Sequence, residues 1–281
     1  MRVDRGVALV SQSSNIVINM TMQARGLPVA YVACLGNAAQ VGLAELAGAL
    51  LADQRVTALG LYIEGIDDAP AFAALAQAAR AAGKGIVCIK SGKTEPRRTA
   101  AAVAYRLAGR GWGGVSAFLR QVGVAEVNTL SELIETLKIM HLHGPQIGTR
   151  LCSLSCSGGE AGLVADLAAP FGLDFPPPSA CRSAARLGAM LGPIVTIANP
   201  LDYHTFIWGD GPRTTDVFTT MLQAYDAGIY IIDPPRPDRC DPASYAACAG
   251  GHRGGAGGDG QAGLSGRLLP ENFDEALAAV R

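Results

Sequence analysis

Apolar and polar positions alternate in blocks along the first half of the chain. Apolar runs at Val7–Val10, Val29–Ala33, Leu59–Ile63 and Ile86–Ile89 predict buried strands. Helical patterns lie between them at Ile16–Gln23, Leu43–Ala52 and Ala71–Ala82. Short strands alternating with helices predict a parallel sheet with helices on both faces. Gly26–Leu27–Pro28 and Gly83–Lys84–Gly85 stop helices where the pattern needs it. A polar loop runs from Ser91 to Thr99, followed by Ala100 to Gly114. Helical pattern resumes over Val115–Gln121, Val122–Val127 predicts a short strand, and Ser131–Leu142 a closing helix capped by Thr129.

Gly144–Pro145 breaks the pattern and predicts a domain boundary, giving domains at 1–145 and 146–281. The second half restarts with a strand at Leu151–Ser155 and a helix from Glu160 to Ala169. Pro176–Pro177–Pro178 separates these from a short helix at Ala180–Leu191. The apolar run Ile194–Ala198 ends in Asn199–Pro200–Leu201–Asp202. A helix at Thr214–Ala224 and a strand at Ile229–Asp233 follow. Residues 249–266 are dominated by Gly with few apolar anchors, so burial does not repay their ordering entropy, and no packed element is expected there. The helical pattern returns from Leu269.

Two segments share one design. An apolar run leads into Ser11–Gln12–Ser13–Ser14–Asn15 in the first half and into Cys156–Ser157–Gly158–Gly159 in the second, each followed by a helical pattern. A strand that turns straight into a helix presents unpaired N–H groups and the positive end of the helix dipole above the turn. The fitting guest is an anion such as phosphate, and small residues allow it close. Ser13, Ser14, Ser157, Gly158 and Gly159 are therefore the candidate phosphate-binding residues. The two cradles are expected to face one another across a shared anion. The plainer reading is that the serines only cap helices.

Composition narrows the classes. The 281 residues suffice for about two domains, with 49% hydrophobic and 17% charged residues. Net charge is −1 with no basic tract, which argues against nucleic acid. No apolar stretch is long enough for a membrane span, and Met1–Arg2–Val3–Asp4–Arg5 is no secretory signal, so a cytoplasmic protein is expected. The seven cysteines are scattered and lack zinc spacing, and no metal is expected. Aromatic content of 6%, with Trp112 and Trp208 far apart, disfavours a flavin site.

Further strings occur in order: Val10–Ser11–Gln12–Ser13–Ser14, Gly36–Asn37, Asp53 to Thr57, Leu61–Tyr62–Ile63–Glu64, Lys90–Ser91–Gly92–Lys93, Arg120–Gln121–Val122–Gly123–Val124, Ser157–Gly158–Gly159 and Asn199–Pro200–Leu201–Asp202. Their order and spacing over residues 5 to 235 resemble the central domains of the NDP-forming acyl-CoA synthetases, the group of acetate–CoA ligase (ADP-forming) and succinyl-CoA synthetase. The resemblance implies an α/β fold of two flavodoxin-like three-layer domains with parallel sheets. It implies ligase chemistry: acid, CoA and ATP give acyl-CoA, ADP and phosphate through an acyl phosphate and a phosphohistidine on a mobile loop. Glu64 matches the glutamate that orients the histidine ring, which would make it the catalytic residue here. Asn199 and Asp202 match positions bordering the phosphate site, although their structural reading, as a turn and a cap, is the preferred one.

The chain departs from the family where the histidine belongs. Leu107–Ala108–Gly109 is present, but alignment on it puts Val103 at the histidine position, and counting from Lys90 puts Ala104 there. Turnover by the chain alone is expected to be impaired unless His204 substitutes. Arg106 beside that position is a candidate positive border to the anion site. No Rossmann fingerprint or P-loop is present. CoA, ATP or ADP and Mg2+ are thus expected through CoA-binding and ATP-grasp partner domains or subunits, with no cofactor held in this chain. The competing expectation is a non-catalytic anion-binding or scaffold paralogue that docks to an intact synthetase.

Overall fold

The computed structural model describes residues 3–92, 112–145, 148–178 and 183–233, positions 235, 238, 239, 241, 243 and 245, and the backbone of 262–266. The chain divides into two compact units, 1–146 and 147–281.

The first unit runs β1 (Gly6–Ser11), α1 (Ser14–Thr21), β2 (Val29–Cys34), α2 (Leu43–Ala52), β3 (Val56–Ile63), α3 (Ala69–Ala81), β4 (Gly85–Lys90), α4 (Trp112–Gln121), β5 (Ala125–Val127) and α5 (Leu130–His143). Its strands lie in the order β2-β1-β3-β4-β5, all parallel. This is the flavodoxin-like order, which reverses direction between β1 and β3. The continuous apolar runs follow from burial on two faces. Along β1, Ala8 and Val10 pack with α2, α3 and α4, for example Leu43, Phe72 and Leu119. Val7 and Leu9 pack with Val17 and Met20 of α1 and Leu133 and Leu137 of α5. Thr129 caps α5 as expected: its hydroxyl accepts the Glu132 N–H at 3.1 Å, and the Glu132 carboxylate accepts the Thr129 N–H in return.

Gly60 of β3 shows how tightly one face is filled. A Cβ there would lie 2.6 Å from Leu137 Cδ1 and 2.9 Å from Leu9 Cδ2. Gly60→Ala should therefore destabilise by about 1–3 kcal/mol, and an unchanged urea midpoint would contradict this packing.

The opposite, N-terminal edge of the sheet carries a polar cluster. The Asp53 carboxylate accepts from the Tyr31 hydroxyl at 2.5 Å and from the Arg55 guanidinium at 2.9 Å. These bonds, Arg55 first, hold the Asp53 carboxyl well below the ordinary range. A depressed folded-state pKa adds stability above the unfolded value of about 4 and loses it as pH falls towards the folded value. Asp53→Asn should melt lower than the parent at pH 5, and the gap should shrink by pH 3. A gap that is constant or widens would refute the linkage.

The second unit runs β6 (Leu151–Ser155), α6 (Gly158–Ala168), a 3-10 turn at Ala169–Phe171, α7 (Ser183–Leu191), β7 (Leu201–Asp202), a second 3-10 turn at Thr205–Ile207, α8 (Gly211–Leu222), β8 (Ala227–Ile231) and β9 (Ala262–Gly266). The order β7-β6-β8-β9, again all parallel, repeats the first four positions of the first sheet. Cys152 and Leu154 of β6 pack under α7 and α8 with Leu187, Val217 and Phe218. Burial pushes the Cys152 thiol up to about 12, so it behaves as a small core hydrophobe.

Of two features here, the first was not assigned from the sequence and the second departs from it. The apolar run Ile194–Ala198 forms no strand; β7 is only Leu201–Asp202. The Asn199 side chain stands in for the missing ladder, its Oδ1 accepting the Ser153 N–H at 3.1 Å and its Nδ2 donating to Leu151 O at 2.9 Å. Secondly, the Gly-rich stretch 249–266 ends in a paired element. Ala262–Gly266 aligns with Ala227–Ile231 as a fourth parallel strand. Backbone hydrogen bonds to β8 supply what the small side chains do not.

Candidate functional site

Both candidate turns lie at the C-terminal edge of their own sheet, where open α/β folds bind ligands. In the first, Ser11 ends β1 and its hydroxyl spans the turn. It donates to Ser13 O at 2.6 Å and accepts the Ser13 N–H at 3.0 Å. Ser13 is the N-cap of α1 in extended conformation, yet its side chain makes no cap bond. Ser14 and Asn15 are exposed. The N-terminal N–H groups of α1 are thus left open to an external acceptor.

Gln12 connects this turn to β3. Its side chain is nearly buried, at 7% exposure. Its Oε1 accepts the Glu64 N–H at 2.5 Å and the Gly65 N–H at 3.0 Å, and its Nε2 donates to Gly65 O at 3.2 Å. On the other side, the Lys90 ammonium donates to Glu64 O at 2.7 Å and Ser91 O at 2.6 Å. Glu64 therefore stands beside the first turn, at the β1/β3 reversal. Its carboxylate makes no hydrogen bond or ion pair with the described residues, so it is open to accept a donor brought from outside.

In the second turn, Ser155 repeats the part of Ser11, its hydroxyl donating to Ser157 O at 3.2 Å. Here the N-cap is engaged: the Ser157 hydroxyl accepts the Glu160 N–H at 3.3 Å. The Glu160 carboxylate turns back and accepts the Cys156 N–H at 3.2 Å. The helix end already holds an acid of its own. Gly158 and Gly159 are the first two residues of α6, not part of a loop. The nearest atom to a Cβ at Gly158 is Asp202 Oδ2 at 3.5 Å, and at Gly159 it is Ser157 Oγ at 3.9 Å. Internal packing does not require either glycine.

Asp202 stands at the end of β7 next to this turn. Its carboxylate accepts the His204 N–H at 3.0 Å and lies 3.7 Å from His204 Nε2. His204 thus sits at the same edge, with a positive φ of 60°. Asn199 is placed otherwise: it bonds Leu151 and Ser153, earlier along β6, and Pro176 O at 2.9 Å. In this structure it ties the segment before β7 to β6 and to the loop at Pro176. Arg106, Val103 and Ala104 lie outside the described residues, as does Lys93. Among the described residues no three His, Cys, Asp or Glu side chains converge on a metal position, and no helix is long and apolar enough to cross a membrane.

The family profile described as Succinyl-CoA ligase like flavodoxin domain matches residues 4–140. Residues 4–140 are thus a succinyl-CoA ligase-like flavodoxin domain, and the chain as a whole is similar to NDP-forming acyl-CoA synthetases. A trans-feruloyl-CoA synthase from an unknown prokaryotic organism is 29% identical over 221 residues, 78% of this chain and 31% of that protein. Subunit alpha of the ADP-forming acetate–CoA ligase II of Pyrococcus furiosus is 29% identical over 200 residues, 70% of this chain and 43% of the subunit. The solved dinucleotide forming acetyl-coenzyme A synthetase 1 of Ca. Korarchaeum cryptofilum, in complex with phosphate and ADP, shares the fold with a TM-score of 0.79. That match has 19% identity and covers all of this chain and 65% of that one. The chain therefore spans less than half of the two curated relatives and under two thirds of the solved synthetase.

Two residues of this edge escape a reading by motif alone. Gln12 has no signal beyond its place in the serine-rich string. Glu160 had one: Ser157-x-x-Glu160 is the spacing of a capping box. The contrast between the turns is measurable. Ser157→Ala should cost about 1 kcal/mol, and Ser13→Ala no more than a few tenths. Equal losses in urea melts would mean that Ser13 caps α1 after all.

Proposed function

We propose that this chain is a component of an NDP-forming acyl-CoA synthetase and supplies anion cradles to it. In that role it acts with CoA-binding and ATP-grasp domains or subunits, which bring CoA, ATP or ADP and Mg2+ to the reaction. The observation that carries the reading is the uncapped N-terminus of α1 at the strand reversal, beside the Glu64 carboxylate, which has no partner among the described residues. Open N–H groups stabilise a phosphoryl group without water. A nearby carboxylate orients an imidazole that delivers it. Glycines at 158 and 159 support a second cradle in the other unit, because glycine weakens a helix and no described residue demands it there.

Val103 and Ala104 cannot carry a phosphoryl group, so the reading has this chain impaired when alone. A histidine would come from a partner. One observation favours a second reading, a non-catalytic anion-binding or scaffold paralogue: Glu160 already occupies part of the second turn. We place both readings in the cytoplasm and treat the two units as separate flavodoxin-like domains.

Incubation with labelled ATP, or with acyl-CoA and labelled phosphate, separates the two. With an ATP-grasp partner present, the synthetase reading expects acid-labile, base-stable label and acyl-CoA turnover. The scaffold reading expects neither, with phosphate still raising the melting temperature. If phosphate gives no shift relative to chloride at equal ionic strength, both fail.

A further inference from the structure

The ladder of the first sheet ends before Glu64. Ser11 pairs with Tyr62 and Ile63 with Lys90, and those are the last registered positions on either side of β3. Glu64 and Gly65 lie beyond the sheet, where a strand end would normally be released into a loop. Instead both backbone polar groups of Glu64 are held by side chains. Gln12 of the β1 turn takes its N–H, and Lys90 of β4 takes its carbonyl. Both side chains are nearly buried, Gln12 at 7% and Lys90 at 5% exposure. Burying an ammonium and an amide is costly unless their bonds are made. Two such groups converge on one peptide that the sheet itself does not need.

We propose that Gln12 and Lys90 are positioning residues for the Glu64 carboxylate, holding it beside the first anion cradle. The inference rests on the anion reading given above. It adds that the distance between Glu64 and the bound anion is set by these two clamps and not by the strand. Gln12 reaches across from the very turn that forms the cradle, so cradle and carboxylate move as one body.

A double-mutant cycle read through inorganic phosphate tests this. Dissociation constants come from amide shift titrations of the full chain, with Glu64→Gln made in the parent and in Gln12→Met, which keeps volume and loses all three bonds. Removing the like charge should tighten phosphate binding about threefold to fivefold in the parent. In Gln12→Met the same change should have almost no effect, because the carboxylate has drifted from the anion. A merely structural role for Gln12 would lower stability but leave the Glu64 effect intact. An equal gain in both backgrounds therefore overturns the proposal. If Gln12→Met does not fold, Lys90→Met serves as the second background with the same expectations. Phosphate binding in none of the variants, parent included, would instead overturn the anion reading itself.

Discussion

A parallel strand that runs directly into a helix leaves backbone N–H groups with no partner in either element. Both halves of this protein face that constraint at the same place, the C-terminal edge of a strand flanked on both sides by neighbours. Both begin to answer it with a serine at the strand end, Ser11 or Ser155, which bonds across the turn to the carbonyl two residues on. They then diverge. The second turn spends the Ser157 hydroxyl and the Glu160 carboxylate on its own helix. The first turn spends its polar side chain, Gln12, on β3 and leaves α1 uncapped. That choice ties Glu64 to the open helix end and makes the first turn the more receptive to an outside anion.

The first half was legible because each signal was redundant. Its three inner strands, β1, β3 and β4, are buried on both faces, so their runs are continuous, and Gly83 at positive φ marks the end of α3. Thr129 announced the start of α5 as its cap. The resemblance supplied the flavodoxin-like class, and no strand order was read from these signals; the order depends on which crossovers pack, a property of the folded sheet. The second half was less legible for physical reasons. Asn199 does the work of a strand with a side chain, so no apolar period marks it. β9 is Ala–Gly–Leu–Ser–Gly, whose pairing resides in the backbone and leaves almost no trace in the side-chain pattern.

The site shows the same division. Motif reading finds residues whose type carries the chemistry: Ser13, Ser14, Gly158, Gly159 and Glu64. It does not find the residues that set where those groups stand, because an amide bridging two strand ends has no spacing of its own. Asn199 lies in a string that matches a site border, and its side chain is committed to Leu151, Ser153 and Pro176. Asp202, three positions on, is at the turn. The cis Asn199–Pro200 bond lies between the two roles.

The asymmetry between the turns bears on how each, taken by itself, would receive an anion. A doubly charged phosphoryl group gains from an open helix end. The first turn offers such an end, whereas at the second Glu160 partly neutralises it and Asp202 adjoins it. The first turn is therefore the stronger anion cradle, and the second offers close approach through its glycines more than charge. An orienting carboxylate is most useful on the side that grips the anion, since orientation has value only relative to a fixed phosphorus. Glu64 is on that side, clamped by the residue that shapes the cradle. On the proposed reading, the arrangement would hold an anion at a set distance from an incoming imidazole supplied by a partner.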